Sequence, residues 1–430
     1  MNVIHGQIVL SARERDMALQ GLEDDILGLL ESPIPAAEIT INACDALAQT
    51  IGEKHIALLE GLGLPRVKAA EYIREAKYLL KRETLIHRLK TELGDEHTRF
   101  FYQGKVAVRE ILLPLGTLFH IAAGNQYGLA FYSVIEGLLT GNINLVKLPG
   151  DDDGLSAMIL TALFEIEPAL ANYVYLFDYT SKETAALQKL MGLADAVVIW
   201  GGDASIQAVR RMAEPNTKII EWGHKLSFAY ITPKGMGEAM LEGLAENIVQ
   251  TNQLLCSSCQ GIFLDTASME DVHDFCALFL PILERCAAKY GAGIPLEIQA
   301  QTGLRVYTKN LLGAERPCRV FQGKQASLLA YEDALLEPAI PYQNPWVKRL
   351  PRKELLSTLR PYKGHLQTAA LLCAEADREG LTQLLWRAGA IRVTGGENMS
   401  RTYGGAAHDG EYTLRRYTRL ATQEMAAEGP

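Results

Sequence analysis

Residues 116–149 read GTLFHIAAGNQYGLAFYSVIEGLLTGNINLVKLP. Three rhythms follow one another here. TLFHIA is a short apolar run, as expected of a strand buried on both faces. AGNQYG is built from turn formers. LAFYSVIEGLLTGN is long enough for a helix and closes at Gly141, a residue favoured at helix ends. NLVKLP returns to a short buried strand. Strand, helix and strand joined by few residues make a unit whose two strands lie parallel.

The alternation runs on to residue 232. DDDGLSAMILTALFEI opens with candidate helix caps and continues into an apolar face. NYVYLFD is a strand, and SKETAALQKLMGLA a helix with Ser181 as its expected N-cap. DAVVIW is a strand that ends on Gly201-Gly202, ASIQAVRRMA a helix, and TKIIEWG and FAYIT are strands. The pattern predicts an α/β protein with a doubly wound parallel sheet and helices on both faces. Ligands of such sheets bind beyond the carboxyl ends of the strands. Asn125, Lys147, Gly201-Gly202 and Glu221 fall at or just past those ends.

Residues 11–97 read as helical, and FYQGKVAVREILLPLG alternates in the manner of a strand pair. Residues 235–254 form a helix that leads into QTNQLLCSSCQ. Beyond it come a strand, GIFLD, and a long helix, MEDVHDFCALFLPILERCAAKYG. LEPAIPYQNPWVKRLPRKELLSTLRPYKG is rich in proline and reads as a long ordered connection. LQTAALLCA is a strand, REGLTQLLWRAGA a helix, and EYTLRRYTRLAT a strand-like end.

Bulk properties bound the function. A chain of 430 residues suggests two or three domains. With 48% hydrophobic and 22% charged residues it is composed like a soluble globular protein. A net charge of −9 argues against nucleic-acid binding and against anionic membranes. The start, MNVIHGQIVLSARERDM, has no basic stretch followed by an apolar one, so no signal peptide is expected. No run of transmembrane length appears. Seven cysteines without framework spacing fit free thiols in a reducing cytoplasm.

Cys256 and Cys259 form a C-x-x-C, which can be a redox dithiol, half a zinc site, or one nucleophile beside a bystander. Zinc would need two more ligands at suitable spacing, and no second C-x-x-C or H-x-x-x-H exists, so no metal is expected. A redox dithiol belongs near the start of a small domain, after its first strand. The nucleophile reading gains weight from the residues that precede it. A thiolate attacks thioesters and aldehydes.

Residues 116–149 resemble a segment of the aldehyde dehydrogenase superfamily that runs from a strand to an asparagine, through a helix, to a Lys-Pro strand end. DAVVIWGG resembles that superfamily's phosphate-side glycine turn, and EWGHK at 221–225 its E-L-G-G-K. NQLLC at 252–256 resembles its N-Q-x-x-C nucleophile loop, 35 positions after Glu221. Within the superfamily, PLGTLFHIAAGN, GLLTGNINLVKL, VVIWGG and NQLLCSS are most similar to the LuxC-type fatty acyl-CoA reductases of bacterial bioluminescence. The resemblance is clear over residues 100–265 and looser beyond.

The resemblance implies an aldehyde dehydrogenase-like fold with a cofactor domain, a second α/β catalytic domain and small oligomerisation strands. It implies an acyl-CoA reductase in which Cys256 takes the acyl group and hydride from NADPH, or alternatively NADH, yields a fatty aldehyde. Asn125 matches the oxyanion asparagine, and Glu221 the general base, here relaying protons or deprotonating Cys256. Lys147, Trp200, Gly201 and Gly202 match the cofactor side. The acyl donor is expected to be CoA or a carrier protein, and the assembly a homo-oligomer, dimer or tetramer. His224 departs from the second glycine of E-L-G-G-K and could contact substrate or lower the thiol pKa. No E-x-F-G-P is present, and His408-Asp409-Gly410 resembles a C-terminal motif of the LuxC branch.

The expected division is a cofactor domain at 1–222, with 100–113 as an oligomerisation strand pair. A cysteine domain at 223–395 and a tail at 396–430 follow, with the site in the cleft between the two domains. Rival readings are an aldehyde dehydrogenase or acyl-phosphate reductase of the same fold, and a non-redox acyltransferase using the same cysteine. Cys259 is expected to be dispensable for acylation and able to trap Cys256 as a disulfide.

Overall fold

A computed structural model of the chain describes residues 2–122, 128–149, 154–291, 294–311, 316–401 and 403–425. It divides into two compact units, residues 1–223 with 403–430, and residues 224–402. The tail expected at 396–430 is therefore shared, with 396–402 in the second unit.

The first unit opens with a hairpin, β1 (Asn2–Ile4) and β2 (Gln7–Val9), turned at His5 and Gly6, which both have positive φ. This hairpin is not legible in the sequence, because three-residue strands carry almost no periodic signal. Five helices follow between Ala12 and Leu93. Then come β3 (Thr98–Gln103) and β4 (Val106–Pro114), and the parallel strands β5 (Thr117–Ile121), β6 (Ile143–Lys147), β7 (Val174–Phe177), β8 (Ala196–Trp200) and β9 (Lys218–Trp222). The sheet order is β2-β1-β7-β6-β5-β8-β9. Order reverses between β5 and β8, so this is a doubly wound sheet with its switch point at the end of β5.

Period-two burial explains why the strands read as continuous apolar runs. Phe119, Val197 and Ile199 join one large core with the flanking helices. Leu118, Ala196, Val198 and Ile220 face a second core with Trp222 and Tyr417. Two caps differ from expectation. The helix Thr184–Gly192 starts after Glu183, not Ser181, and Leu155–Ile166 starts after Gly154.

In the second unit, β10 (Leu226–Ile231), β11 (Cys259–Leu264), β12 (Cys318–Gln322), β13 (Ser327–Tyr331), β14 (Trp346–Arg349), β15 (Leu366–Leu372) and β16 (Arg392–Thr394) form one sheet in the order β12-β13-β14-β11-β10-β15-β16. All neighbours run parallel except the edge strand β12. Helices Glu238–Thr251 and Met269–Tyr290 cover the face of Ala229, Ile231, Ile262 and Leu372. The other face carries Phe228, Tyr230, Phe263 and Trp346 beneath helix Glu375–Ala388.

β14 corrects the sequence reading of 336–364 as a connection. WVKR hides its strand character because two of its four residues are charged and prolines flank it. Lys348 is nevertheless fully buried. Its ammonium bonds to Asp333 at 2.9 Å and Glu337 at 2.7 Å, and lies over the rings of Tyr331 and Trp346. Opposite Trp346 on β11 stands Gly261, where a Cβ would come within 2.0 Å of the indole. The chain then returns to the first unit with β17 (Thr418–Met425), which pairs with β4 in a three-stranded antiparallel sheet β17-β4-β3. No helix among the described residues is long and apolar enough to cross a membrane.

Candidate active site

Cys256 lies in the second unit, on the turn between helix Glu238–Thr251 and β11. It is exposed, whereas Cys44, Cys259, Cys276, Cys286 and Cys373 are buried and Cys318 is half-buried. Burial pushes the thiols of Cys259 and Cys276 up to about 12. Only a thiolate is a useful nucleophile, so geometry separates the two members of the C-x-x-C. Cys259 is the first residue of β11, and its thiol donates to Gly261 O at 3.3 Å. A disulfide to Cys256 would have to draw that thiol out of the core.

The turn that presents Cys256 is fixed at both ends. The helix stops at Asn252 because Asn252 and Gln253 take left-handed backbone angles, φ 50° and 61°. Tyr342 and Gln343, just before β14, do the same, at 64° and 65°. Such conformations are costly for residues other than glycine and persist where the surroundings enforce them. Here the two pairs bind each other. Tyr342 N–H donates to Asn252 O at 3.0 Å, Gln343 Nε2 to Asn252 Oδ1 at 2.7 Å, and Asn344 N–H to Gln253 Oε1 at 2.9 Å. Leu255 N–H donates to Ser258 Oγ at 3.0 Å and tightens the turn itself.

Strands hold the cysteine from below. Ser227 of β10 donates its hydroxyl to Cys256 O at 2.7 Å and accepts from the backbone N–H of Thr368 in β15 at 3.0 Å. Gln367 of β15, itself buried, points its amide Nε2 at Cys256 Sγ, 3.3 Å away. Ser257 Oγ donates to Ser400 Oγ at 3.1 Å, and Asn247 Nδ2 to the same oxygen at 3.0 Å. Leu254 and Leu255 leave two exposed apolar side chains beside the thiol. Sequence reading missed Ser227, Gln367 and Ser400. The one signal in the sequence is a glutamine within the mostly apolar strand LQTAALL.

The first unit holds the other expected residues. Lys147, Trp200 and Glu221 end or nearly end β6, β8 and β9, so the sheet brings them to its carboxyl edge. Gly202 is the N-cap of helix Asp203–Met212, and a Cβ there would meet nothing within 4 Å, so a ligand can approach its backbone closely. Trp200 stacks on Trp222 at 5.5 Å, with the His408 ring 5.2 Å away, and donates from Nε1 to Ser133 Oγ at 3.3 Å. Glu221 is held in a bidentate pair by Arg210, Nε at 2.5 Å and Nη2 at 2.9 Å. His224 is exposed, and its carbonyl oxygen lies 3.3 Å from His365 Nδ1. Asn125 lies outside the described residues.

These two units are those of the aldehyde dehydrogenase fold. Lactaldehyde dehydrogenase from Escherichia coli superposes with a TM-score of 0.72 at 14% identity, over 99% of this chain and 98% of its own. An NAD-dependent benzaldehyde dehydrogenase from Corynebacterium glutamicum gives 0.73 at 14%, over 99% and 98%. Within that fold the chain belongs to the acyl-CoA reductase (LuxC) family, whose pattern residues 37–420 match. Curated relatives include the long-chain acyl-protein thioester reductases of Vibrio harveyi, 25% identical over 201 residues, and Aliivibrio fischeri, 25% over 325 residues. The matches span 46% and 72% of this chain, and 42% and 64% of those relatives' own lengths.

Proposed function

We propose that the chain reduces a fatty acyl thioester to the aldehyde through an acyl-cysteine at Cys256. The carrying observation is that Cys256 is the exposed cysteine of the chain, on a turn braced by Ser227 and facing the Gln367 amide. The thiolate adds to the thioester carbonyl, the carbon–sulfur bond to the donor breaks, and the donor leaves as a thiol. Reduction of the acyl-cysteine gives a thiohemiacetal, which re-forms a carbonyl and expels Cys256 as thiolate. Asn125 and the Cys256 backbone N–H serve as oxyanion donors, each such donor lowering the barrier by on the order of 3 kcal/mol. Leu254 and Leu255 suit the apolar chain of the substrate.

Lys147, Trp200, Gly201 and Gly202 fit a nicotinamide dinucleotide. They share the carboxyl edge of a doubly wound sheet, and the space at Gly202 admits a pyrophosphate close to the backbone. Asp203 in the first helical turn opposes that charge, which favours Lys147, at the same edge of the sheet, as the cationic partner. When bound, the cofactor supplies hydride, and we assign NADPH as the form used. Glu221 relays protons under the control of Arg210. The donor is CoA or an acyl-carrying protein, and the β17-β4-β3 sheet, with Phe100 and Tyr102 exposed on β3, joins copies of the chain.

A panel of acyl-CoA and acyl-carrier substrates with NADPH or NADH tests this. Equal loss of reduced cofactor and gain of thiol and aldehyde is expected. Faster conversion of aldehyde to acid with an oxidised cofactor, or thiol release without cofactor use, would replace it with one of the rival readings.

A further inference from the structure

Among the described residues, Cys256 rests against the side-chain amide of Gln367, a donor that nothing in its sequence context announces. We infer that Gln367 is a catalytic residue, whose amide N–H stabilises the Cys256 thiolate both as nucleophile and as leaving group. The inference rests on the reading of Cys256 as the acylated residue.

Gln367 Nε2 lies 3.3 Å from Cys256 Sγ, within reach of an N–H···S contact. The amide is buried in a strand, so its rotamer is set by packing and little entropy is lost in holding the contact. The next residue, Thr368, fixes Ser227 and through it the Cys256 carbonyl, so thiol and donor hang from the same two strands. A hydrogen bond to a charged acceptor is stronger than one to a neutral acceptor. The amide therefore favours thiolate over thiol.

Among the described residues, Ser227, Asn247, Gln343, Gln367 and Ser400, all uncharged, bond to residues 252–260. Titratable groups on the packed elements are engaged elsewhere. Lys225, before β10, donates to Gly364 O at 2.6 Å, and His365, before β15, sits against His224 O. On helix Glu238–Thr251, Glu242 pairs with Arg285 and Glu246 accepts from Tyr290.

Both chemical steps use the same stabilisation. In acylation the thiolate donates its electron pair to the thioester carbon, and the donor sulfur leaves with the electrons of the broken bond. In the final step the thiohemiacetal oxyanion re-forms the carbonyl and the electrons of the carbon–sulfur bond return to Cys256 Sγ. A donor on Sγ keeps the thiolate populated for the first step and makes it a better leaving group in the second.

Alkylation of the full chain by iodoacetamide, followed by intact mass and peptide mapping from about pH 5 to about pH 10, tests this. The variants are Gln367→Met, close in shape without a donor, and Gln367→Glu, which places a carboxylate beside the sulfur. The midpoint for Cys256 alkylation should rise by about one to two pH units in Gln367→Met and further in Gln367→Glu. Midpoints in both variants equal to wild type, with acyl transfer to Cys256 intact, would overturn the role of Gln367 alone. An acyl adduct that survives in Cys256→Ser would instead overturn the nucleophile, and this inference with it.

Discussion

Arg210 holds both carboxylate oxygens of Glu221, Nε at 2.5 Å and Nη2 at 2.9 Å. Glu221 occupies the position that matches the water-activating base of the aldehyde dehydrogenases. A reductase must keep water from its acyl-enzyme. Arg210 engages both oxygens of that carboxylate, so a water would have to compete with the guanidinium for them.

Arg210→Ala should therefore raise the share of fatty acid over aldehyde among the products by up to about tenfold, within what a positioned general base contributes. Adding Glu221→Gln should return the share to the wild-type level. Product partition by chromatography checks this, and an unchanged partition in Arg210→Ala would remove Glu221 from the chemistry.

The two cysteines of the C-x-x-C should separate cleanly. Cys259 is buried with its thiol pushed up to about 12, so it stays protonated throughout the neutral range. Cys259→Ala should keep the full acyl adduct and lose on the order of 1 kcal/mol of stability from lost packing. Intact mass and denaturant unfolding read the two effects independently.

His120 gives a pH dependence of stability. It is fully buried between Ser133 Oγ at 2.7 Å and Asn144 Oδ1 at 3.1 Å, and burial holds its pKa down at about 4. Asn144 Oδ1 only accepts, so the proton sits on Nε2 and Nδ1 accepts from Ser133. The unfolded chain binds a proton near pH 6.5, and the folded chain resists until about 4. Stability is then complete above the unfolded value and falls as pH drops between the two, by about 3 kcal/mol in all. His120→Gln should flatten that segment of the stability–pH curve, measured by urea unfolding.

Lys348 should be among the most sensitive charged residues in the second unit. It has no exposed side-chain surface, and two carboxylates face it. Lys348→Ala leaves those carboxylates short of a partner and should cost about 3–5 kcal/mol. Arg352→Ala, which breaks the exposed pairs to Asp265 and Asp377, should cost about 1 kcal/mol or less.

Much of this architecture was legible in the sequence where burial is two-sided. The runs TLFHIA, NLVKLP, VYLF and AVVIW become β5 to β8 because a parallel strand under two layers of helix has no polar face to interrupt it. β14 was illegible because Lys348 supplies its own counterions from Asp333 and Glu337, which lie 15 and 11 residues away. The site divides the same way. Cys256 stands in a local motif. Ser227 and Gln367 come from 29 and 111 positions away, and only the pairing of β10 with β15 brings them to the same turn.

The central claim is that Cys256 carries the acyl group that is then reduced. Mixing the protein with a long-chain acyl-CoA in the absence of reduced cofactor and recording intact mass tests it most directly. An added acyl mass that maps to Cys256, and that disappears on addition of NADPH with release of the matching aldehyde, is the expected result. An adduct on another residue, or one at Cys256 that persists with either reduced cofactor, would contradict it.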